Sequence, residues 1–207
     1  MTTKEKIIDV SLTLFSKKGF KGTSVKDIAA GVGIKDASLY KHFKSKKEIL
    51  DTIVLNIYQQ IDHMSIKMGL PAGDGYEEAI KLYSNIDEDG LVELSKRVFL
   101  FYLNDSLLSR FWKMGTIEQY QNIEVSKLFS KLFYEDSITY QTGLFNEMIN
   151  NNILIKGDPR VMAMAFYTPI FFLLSKYMNN QTQQEEALDI LENQVREFYR
   201  IYSKNNS

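Results

Sequence analysis

The chain has 207 residues, of which 44% are hydrophobic and 13% aromatic, a composition that excludes a disordered chain and allows one large core or two smaller ones. The absence of cysteine excludes disulfide frameworks, thiol nucleophiles and thiolate metal sites. The net charge of −1 hides a regional split, because residues 1–60 carry a net charge of +5 and the other 147 residues carry −6.

Apolar residues recur at helical spacing through almost the whole chain, so the sequence predicts an all-α protein of about nine to ten helices. A first helix is expected over about residues 4–18, where Gly19 follows two lysines as a C-terminal stop. Ser24 and Asp27 have the spacing of a capping box for a short second helix that ends near Gly31.

A glycine turn and another short helix follow. Gly33 permits a tight turn, and Asp36 is expected to cap the third helix. Ser45 and Glu48 have the spacing of a second capping box, which predicts a long fourth helix over about residues 46–67.

Residues 69–75 break the helical pattern before it resumes in the body of the chain. Asp158 followed by Pro159 is a strong start signal for the first of two closing helices. The nearly apolar run 161–174 has 14 residues, fewer than the roughly 20 that span a bilayer, so it predicts a buried helix or an interface and no membrane insertion. The body helices are expected near residues 76–84, 91–115, 122–135, 136–151, 159–178 and 184–203.

The closing helices predict a homodimer through residues 158–203. The run 161–174 is too apolar to face water on one chain. The last helix offers it a partner stripe, which consists of Leu188, Leu191, Val195, Phe198 and Tyr202.

The third helix has the residue pattern of a DNA groove reader. At 100° per residue, Leu39 and Phe43 form an inward stripe and Lys41 points outward. Small and polar groups near the outward pole suit base edges, and long hydrogen-bonding side chains at its sides suit phosphates. The residues placed around this face are Ala37, Ser38, Tyr40, Lys41 and His42. Tyr40 could also pack its ring on the first helix, and His42 could be an ordinary surface histidine.

Two lysines stand at the start of the fourth helix, where the positive helix end disfavours cations unless an anion is near. A DNA phosphate would supply that anion for Lys46 and Lys47, although two solvated lysines remain an alternative. Ser24 could cap the second helix alone or cap it and contact a phosphate as well. The basic N-terminal segment favours a polyanion partner, although solvated helix faces also produce such a charge.

Residues 7–50 together resemble the helix-turn-helix domain of the TetR/AcrR family of bacterial transcriptional regulators. The resemblance rests on the phrases LFSKKGFKGTSVKDIA and GVGIKDASLYKHFKSKKEIL and on the short spacing between them. The chain departs from the family's usual pattern at Val32, Lys35 and Ala37. These departures alter the reading face, so they concern the operator sequence and not the fold.

The resemblance implies a domain division and a mode of action. Residues 1–50 would be the DNA-binding domain, and residues 51–207, entered through the fourth helix, would be a helical ligand-binding and dimerisation domain. A dimer would bind a palindromic operator in double-stranded DNA and leave it when a small apolar effector enters the body. The implied DNA contacts are Ser24, Lys26, Lys35, Ser38, Tyr40, Lys41, His42 and Lys46, with Tyr40, His42 and Lys46 chiefly on phosphates.

An apolar effector needs a pocket with aromatic walls, and the body is rich in such residues. Aromatic side chains at helical spacing are more often core, so core packing is the alternative for each of them. The candidate pocket residues are Phe99, Tyr102, Trp112, Tyr120, Phe145 and Phe166.

The sequence offers no catalytic or metal-binding constellation. The acidic loop 85–90 begins with the spacing of a calcium loop, but its twelfth position is Lys96 in place of a bidentate glutamate. The two histidines stand 21 positions apart, and there is no glycine-rich phosphate loop. We therefore expect no enzyme, cofactor or metal, and a cytoplasmic location, since the start of the chain lacks a secretory signal.

These features predict a ligand-responsive transcriptional regulator, most simply a repressor. One alternative is a co-activator or structural protein of the same fold without DNA binding, which the retained Tyr40, Lys41, His42 and Lys46 disfavour. The other is an all-α enzyme acting on an apolar substrate, which lacks an acid, base or nucleophile set.

Overall fold

The computed structural model describes residues 1–70, 76–178 and 183–204, and the backbone alone for residues 77–79. Within them the chain is α-helical, with one isolated antiparallel bridge between Leu154 and Ser203 and no strand, so the all-α prediction is confirmed. Residues 71–75 of the predicted break at 69–75, and residues 179–182 of the predicted dimerisation segment, lie outside the described residues. The helices are α1 Thr3–Lys18, α2 Val25–Val32, α3 Asp36–Leu39, α4 Lys46–Lys67, α5 Tyr76–Tyr83, α6 Glu88–Asn104, α7 Ser106–Glu118, α8 Ile123–Ser130, α9 Asp136–Asn150, α10 Pro159–Tyr177 and α11 Gln184–Tyr202, with a π-helical turn Lys131–Glu135 between α8 and α9.

The chain packs as two compact units. Unit 1 contains residues 1–61 and 105–130, and unit 2 contains residues 62–104 and the chain from residue 131 onward. Helices α7 and α8 therefore pack with the N-terminal helices, and this division by packing does not follow the predicted boundary at residue 50.

The start signals predicted for two helices have different outcomes. Asp158 caps α10 as expected, because its carboxylate accepts from the N–H groups of Arg160 at 2.8 Å and Val161 at 3.1 Å. Asp36 is not a cap: the extended N-cap conformation belongs to Lys35, and Asp36 is the first residue of α3. Its carboxylate then lies in the first turn, where the helix dipole favours a negative charge.

The helical stretch predicted over residues 91–115 is broken at Asp105. The Asp105 carboxylate accepts from the N–H groups of Leu107 at 2.9 Å and Leu108 at 3.0 Å and so starts α7 as a separate helix. An aspartate between two apolar runs is a capping signal that helical periodicity alone does not register.

Unit 1 closes around a core of fully buried side chains. Burying each one stabilises the fold by roughly 1.5–3 kcal/mol. This core fixes the N-terminal helices whose outer surface carries the predicted DNA-binding residues. Its members include Ile7, Leu12, Phe15, Ile28, Leu39, Phe43, Ile49, Leu50 and Phe111.

The stripe predicted on the last helix faces the core of unit 2. Leu191, Val195 and Phe198 are buried within the chain, so they are not free to meet a partner subunit. The same two helices expose other apolar side chains, namely Val161, Met164 and Phe172 on α10 and Ile190 and Ile201 on α11. In the part of the chain that the structure describes, no helix combines the length and hydropathy needed to cross a bilayer.

Candidate functional site

The turn between α2 and α3 is fixed by Gly33. This residue has φ of +81°, in the left-handed region that glycine adopts most readily, and its N–H donates to the carbonyl oxygens of Ala29 and Ala30 at 3.0 and 3.1 Å. Leu39 and Phe43 then anchor α3, since both are buried in the core of unit 1 as predicted. The opposite face of α3 is left for solvent or a ligand.

The predicted reading face is exposed, but its geometry differs from a regular helix. α3 ends at Leu39, and the next residues form a tighter turn in which the N–H groups of Lys41 and His42 reach the carbonyls of Ser38 and Leu39 at 3.3 and 2.9 Å. The turn after Leu39 is therefore tighter than the regular helix that the 100° spacing assumes, although Phe43 faces inward as that spacing predicted. Tyr40 is 53% exposed, which disfavours a ring packed on α1.

Exposed cations surround this turn. No ion pair involves any of them among the residues that the structure describes, so their charges are available to an anion. Ala37 and His42 are exposed beside them, and Ser38 is half-buried. The exposed lysines of this surface are Lys26, Lys35, Lys41 and Lys44.

Ser24 caps α2, as both predicted alternatives require. Its Oγ accepts from the Asp27 N–H at 3.1 Å and donates to Asp27 Oδ2 at 2.6 Å, while the Ser24 N–H donates to the same oxygen at 2.8 Å. The hydrogen bond from the Ser24 hydroxyl is the main cause that lowers the pKa of Asp27. The hydroxyl proton is thus engaged within the protein, and a phosphate contact by Ser24 stays a prediction.

Lys46 braces the turn between α1 and α2. Its ammonium donates to the carbonyl oxygens of Phe20 at 2.5 Å and Thr23 at 2.7 Å and lies 4.4 Å from the centroid of the Phe20 ring. Desolvation lowers the pKa of Lys46, and the charge of Glu118 opposes that shift. Two of its three N–H donors are therefore committed to the protein, which the expected phosphate role did not anticipate.

Lys47 is paired with acidic side chains. Its ammonium lies 3.0 Å from Asp51 Oδ1 and also binds the Glu124 carboxylate. The hydrogen bond to Glu124 is the first cause that raises the pKa of Lys47. The expectation that Lys47 is either solvated or facing a phosphate does not describe this arrangement.

Glu118 is a site residue that the sequence did not reveal. It is 4% exposed at the end of α7, and its Oε1 accepts from the backbone N–H of Lys21 at 3.1 Å. Gly19 passes so close that a Cβ there would lie 2.2 Å from this oxygen. Nothing near Glu118 in sequence signals the contact, because its partners stand about a hundred positions earlier.

Arg110 makes a second link from α7 to the N-terminal helices. Its guanidinium lies 2.7 Å from Asp9 Oδ1 and donates to the Thr13 hydroxyl oxygen at 2.9 Å. Together, Arg110 and Glu118 fasten α7 to α1 and to the turn that follows it.

Unit 2 contains a small, partly open cavity of about 50 Å³. Among the described residues, no charged side chain lines it. Burial raises the pKa of the Tyr83 phenol, one of its walls, and the neighbouring Tyr140 adds to that shift. The lining residues are Tyr83, Ile86, Leu91, Phe145, Met148, Ile153, Leu154, Phe166, Phe198, Tyr199 and Ser203.

The structure brings two of the six predicted pocket residues together at this cavity. Phe145 and Phe166 pack edge to face with centroids 5.9 Å apart. Phe99 and Tyr102 belong to the same unit but do not line the cavity. Trp112 lies in the core of unit 1 against Phe129, with centroids 5.3 Å apart. Tyr120, also in unit 1, is 89% exposed, so it is not the wall of an enclosed pocket in this chain.

Residues 7–53 match the family described as bacterial regulatory proteins, tetR family. The N-terminal segment is also similar to the biofilm operon icaADBC HTH-type negative transcriptional regulator IcaR. For IcaR of Staphylococcus aureus strain Newman the identity is 49% over 61 residues, which cover 30% of this chain and 33% of that protein. For IcaR of Staphylococcus epidermidis it is 51% over 55 residues, or 27% and 30% of the two chains. The chain thus matches about a third of the length of these curated relatives.

Similarity to solved structures extends over almost the whole chain. A Mesorhizobium loti protein described as a TetR-family transcriptional regulator superposes with a TM-score of 0.69 at 21% identity, covering 97% of this chain and 96% of the other. SmeT in its triclosan complex gives 0.70 at 18% identity over 99% and 93% of the two chains. At these identities the superpositions establish the fold alone. The N-terminal segment thus matches the tetR family of bacterial regulatory proteins, and the chain as a whole shares the fold of these solved structures.

Proposed function

We propose that the protein is a transcriptional repressor that binds a palindromic operator as a homodimer and releases it on binding a small apolar effector. The observation that carries the proposal is the surface around α3. Leu39 and Phe43 hold this element from inside, and Tyr40, Lys41 and His42 are presented outward. A cationic turn on a rigid base is what insertion into a major groove requires.

Electrostatics supports a polyanionic partner. The first sixty residues carry a net charge of +5, and the lysines around α3 are exposed and without an acidic partner in the described residues. Phosphate neutralisation by such side chains supplies most of the sequence-independent affinity for DNA. The base-reading positions are then Ala37, Ser38 and Lys41, and phosphate contacts fall to Tyr40, His42, Lys26 and Lys35. Ser24 and Lys46 act by fixing the turns next to the DNA.

The proposal of a homodimer is supported by the exposed apolar side chains of α10 and α11. Phe172 is 62% exposed, and Val161 and Met164 on the same helix are 59% and 50% exposed. Spacings of three, four and seven to eight positions place such residues on one face of a helix. Burying this face against its symmetry mate would remove a contiguous apolar patch from water and set two α3 elements on one DNA duplex.

The proposal of repression and of an effector response is supported by the relatives and by the cavity. IcaR is a negative regulator, and SmeT binds triclosan. We extend both properties to this chain, with the uncharged cavity of unit 2 as the effector site. The named relatives are regulators and not enzymes, which disfavours the alternative of an all-α enzyme; the exposed cations disfavour a co-activator that lacks DNA binding.

An electrophoretic mobility shift assay tests the proposal. Fragments tiled across the DNA upstream of the protein's own coding sequence are titrated with wild-type protein and with the double variant Tyr40→Ala, Lys41→Ala. We expect one fragment to shift with wild type and not with the variant. Lys81→Ala, at an exposed lysine of unit 2, is the control and should bind as wild type does. A fragment that shifts equally with all three proteins would exclude α3 as the reading element.

A further inference from the structure

Arg196 of α11 pairs with two carboxylates in the first turn of α6. Its guanidinium lies 3.0 Å from Glu88 Oε1 and 2.7 Å from Asp89 Oδ1. On its own helix Arg196 also pairs with Glu192 at 2.8 Å, and Arg200 lies 3.6 Å from Glu88. The hydrogen bond to Glu88 is the first of the causes that raise the pKa of Arg196. The start of α6 is therefore fastened to α11 by charge.

The fastened segment is one wall of the cavity in unit 2. Ile86 and Leu91, which flank the two carboxylates in sequence, both line the cavity. Tyr199 lines it from α11, one position from Arg200. Moving residues 86–91 away from α11 would therefore open the cavity to solvent at this point.

The size of the cavity requires that a wall moves before a ligand enters. About 50 Å³ is far below the roughly 300–1,000 Å³ of sites that hold organic ligands. The walls from α9 and α11 include Phe145, Met148 and Phe198, which are buried in the core of unit 2. Ile86 and Leu91 are only half-buried. The segment that the ion pairs restrain is thus less deeply buried than these walls.

The lining determines what kind of molecule fits. The described part of the lining contains no charged side chain, and an unpaired ionic group would be strongly disfavoured there. Three of its rings, Phe145, Phe166 and Phe198, lie with centroids 4.8–5.9 Å apart in edge and stacked arrangements. Rings in such arrangements offer faces and edges to another ring.

We propose that residues 86–91 form a gate, that Arg196 is the latch of this gate, and that the site behind it takes a small uncharged aromatic molecule. The gate rests on the ion pairs and the cavity; only the identification of that molecule as the effector rests on the proposed function. In the closed state the latch competes with binding, so weakening it raises the fraction of molecules that can accept a ligand.

The probe for the test is N-phenyl-1-naphthylamine, an uncharged aromatic compound whose fluorescence rises in apolar sites. Its association is followed by stopped flow at about 50 and about 500 mM NaCl, since partly exposed ion pairs such as these weaken with salt. Wild type should bind several-fold faster at the higher salt. Arg196→Gln should bind about fivefold faster than wild type at low salt, with a tighter Kd and little further response to salt.

Two further variants separate the latch from general effects. Lys176→Gln breaks an ion pair of the same unit, with Glu186, away from the cavity lining, and should behave as wild type. The double variant Glu88→Gln, Asp89→Asn breaks the latch from the other side and should match Arg196→Gln. Equal association rates for wild type and both latch variants would overturn the gate.

The site itself is tested by filling it. Ile86→Trp should abolish probe binding while the helical circular dichroism and melting temperature stay near wild type; if this variant unfolds, Leu91→Phe takes its place. Absence of probe binding to wild type, or undiminished binding to a folded filled variant, would overturn the site. None of these measurements involves DNA, so their failure leaves the operator proposal standing, and a failed operator assay leaves the gate standing.

Discussion

The backbone N–H of Lys21 donates to Oε1 of Glu118 at 3.1 Å, across 97 positions of sequence. This bond ties the end of α7 to the turn between α1 and α2, within the unit that carries the candidate DNA-binding surface. The second carboxylate oxygen is buried and has no hydrogen-bond partner among the described residues, so the opposing charge near it matters. That charge is the Lys46 ammonium.

Replacing Glu118 by Ala should destabilise unit 1. The change leaves the Lys21 N–H without an acceptor, so we expect a loss of about 1–3 kcal/mol in the free energy of unfolding. Urea unfolding followed by Trp112 fluorescence reports on this unit. Glu124→Ala, which removes an exposed partner of Lys47, is the control and should lose less than about 1 kcal/mol. Equal stability of wild type and Glu118→Ala would mean that the contact contributes nothing.

Lys41→Ala should weaken DNA binding, whereas Lys46→Ala should lower the stability of the fold. Lys41 is exposed and unpaired in the described residues, so its loss should leave stability unchanged and weaken operator binding by about 1–3 kcal/mol at one base position. Lys46→Ala removes the donor to the Phe20 and Thr23 carbonyls and should lower the free energy of unfolding by about 1 kcal/mol. Thermal melts measure the stability of both variants, and fluorescence anisotropy titrations measure their operator binding. A Lys46→Ala variant that melted at the wild-type temperature would contradict this prediction.

Phe172→Glu should produce monomers. Because the side chain is 62% exposed in one chain, a charge there leaves the subunit fold intact but opposes burial of the α10 face in a dimer. Light scattering coupled to size exclusion measures the mass. Ile66→Glu introduces the same charge at an exposed apolar residue of α4 and should remain dimeric. A dimeric Phe172→Glu variant would place the interface elsewhere.

Asp27 should contribute a pH-dependent part of the stability. Its pKa is lowered from 3.8 by the hydrogen bonds from Ser24, so the carboxylate form stabilises the folded state. The extra stability of wild type over Asp27→Asn should be fully present above pH 3.8 and should shrink as the pH falls through the lower pKa of the folded state. Urea midpoints of the two proteins across this range provide the measurement. A difference that stayed constant through acid pH would show that the charge of Asp27 is not involved.

Local signals predicted much of the fold and part of the site. The caps at Ser24 and Asp158 were predictable because a side chain and the N–H groups it binds stand within three positions. The inward placement of Leu39 and Phe43 followed from helical spacing. The early end of α3 did not, because periodicity does not distinguish a helix from a tighter turn that keeps the same residues buried.

Contacts between distant parts of the chain could not be predicted from the sequence. Lys46 and the Phe20 carbonyl are 26 positions apart, and nothing in their neighbourhoods distinguishes a brace from a solvated lysine. Trp112 and Phe145 occur in similar aromatic helices, yet one packs in unit 1 and the other lines a cavity in unit 2. Composition could nominate both residues, but only the packing of the helices could separate them.

Selection from a random DNA library determines whether the surface around α3 reads DNA. Wild-type protein should enrich a palindrome whose half-site centres lie about one helical turn or a multiple of it apart, roughly 34–36 Å per turn. The triple variant Tyr40→Ala, Lys41→Ala, His42→Ala should enrich no motif. The claim would be contradicted if wild type selected no sequence, or if the folded triple variant selected the same palindrome with the same strength.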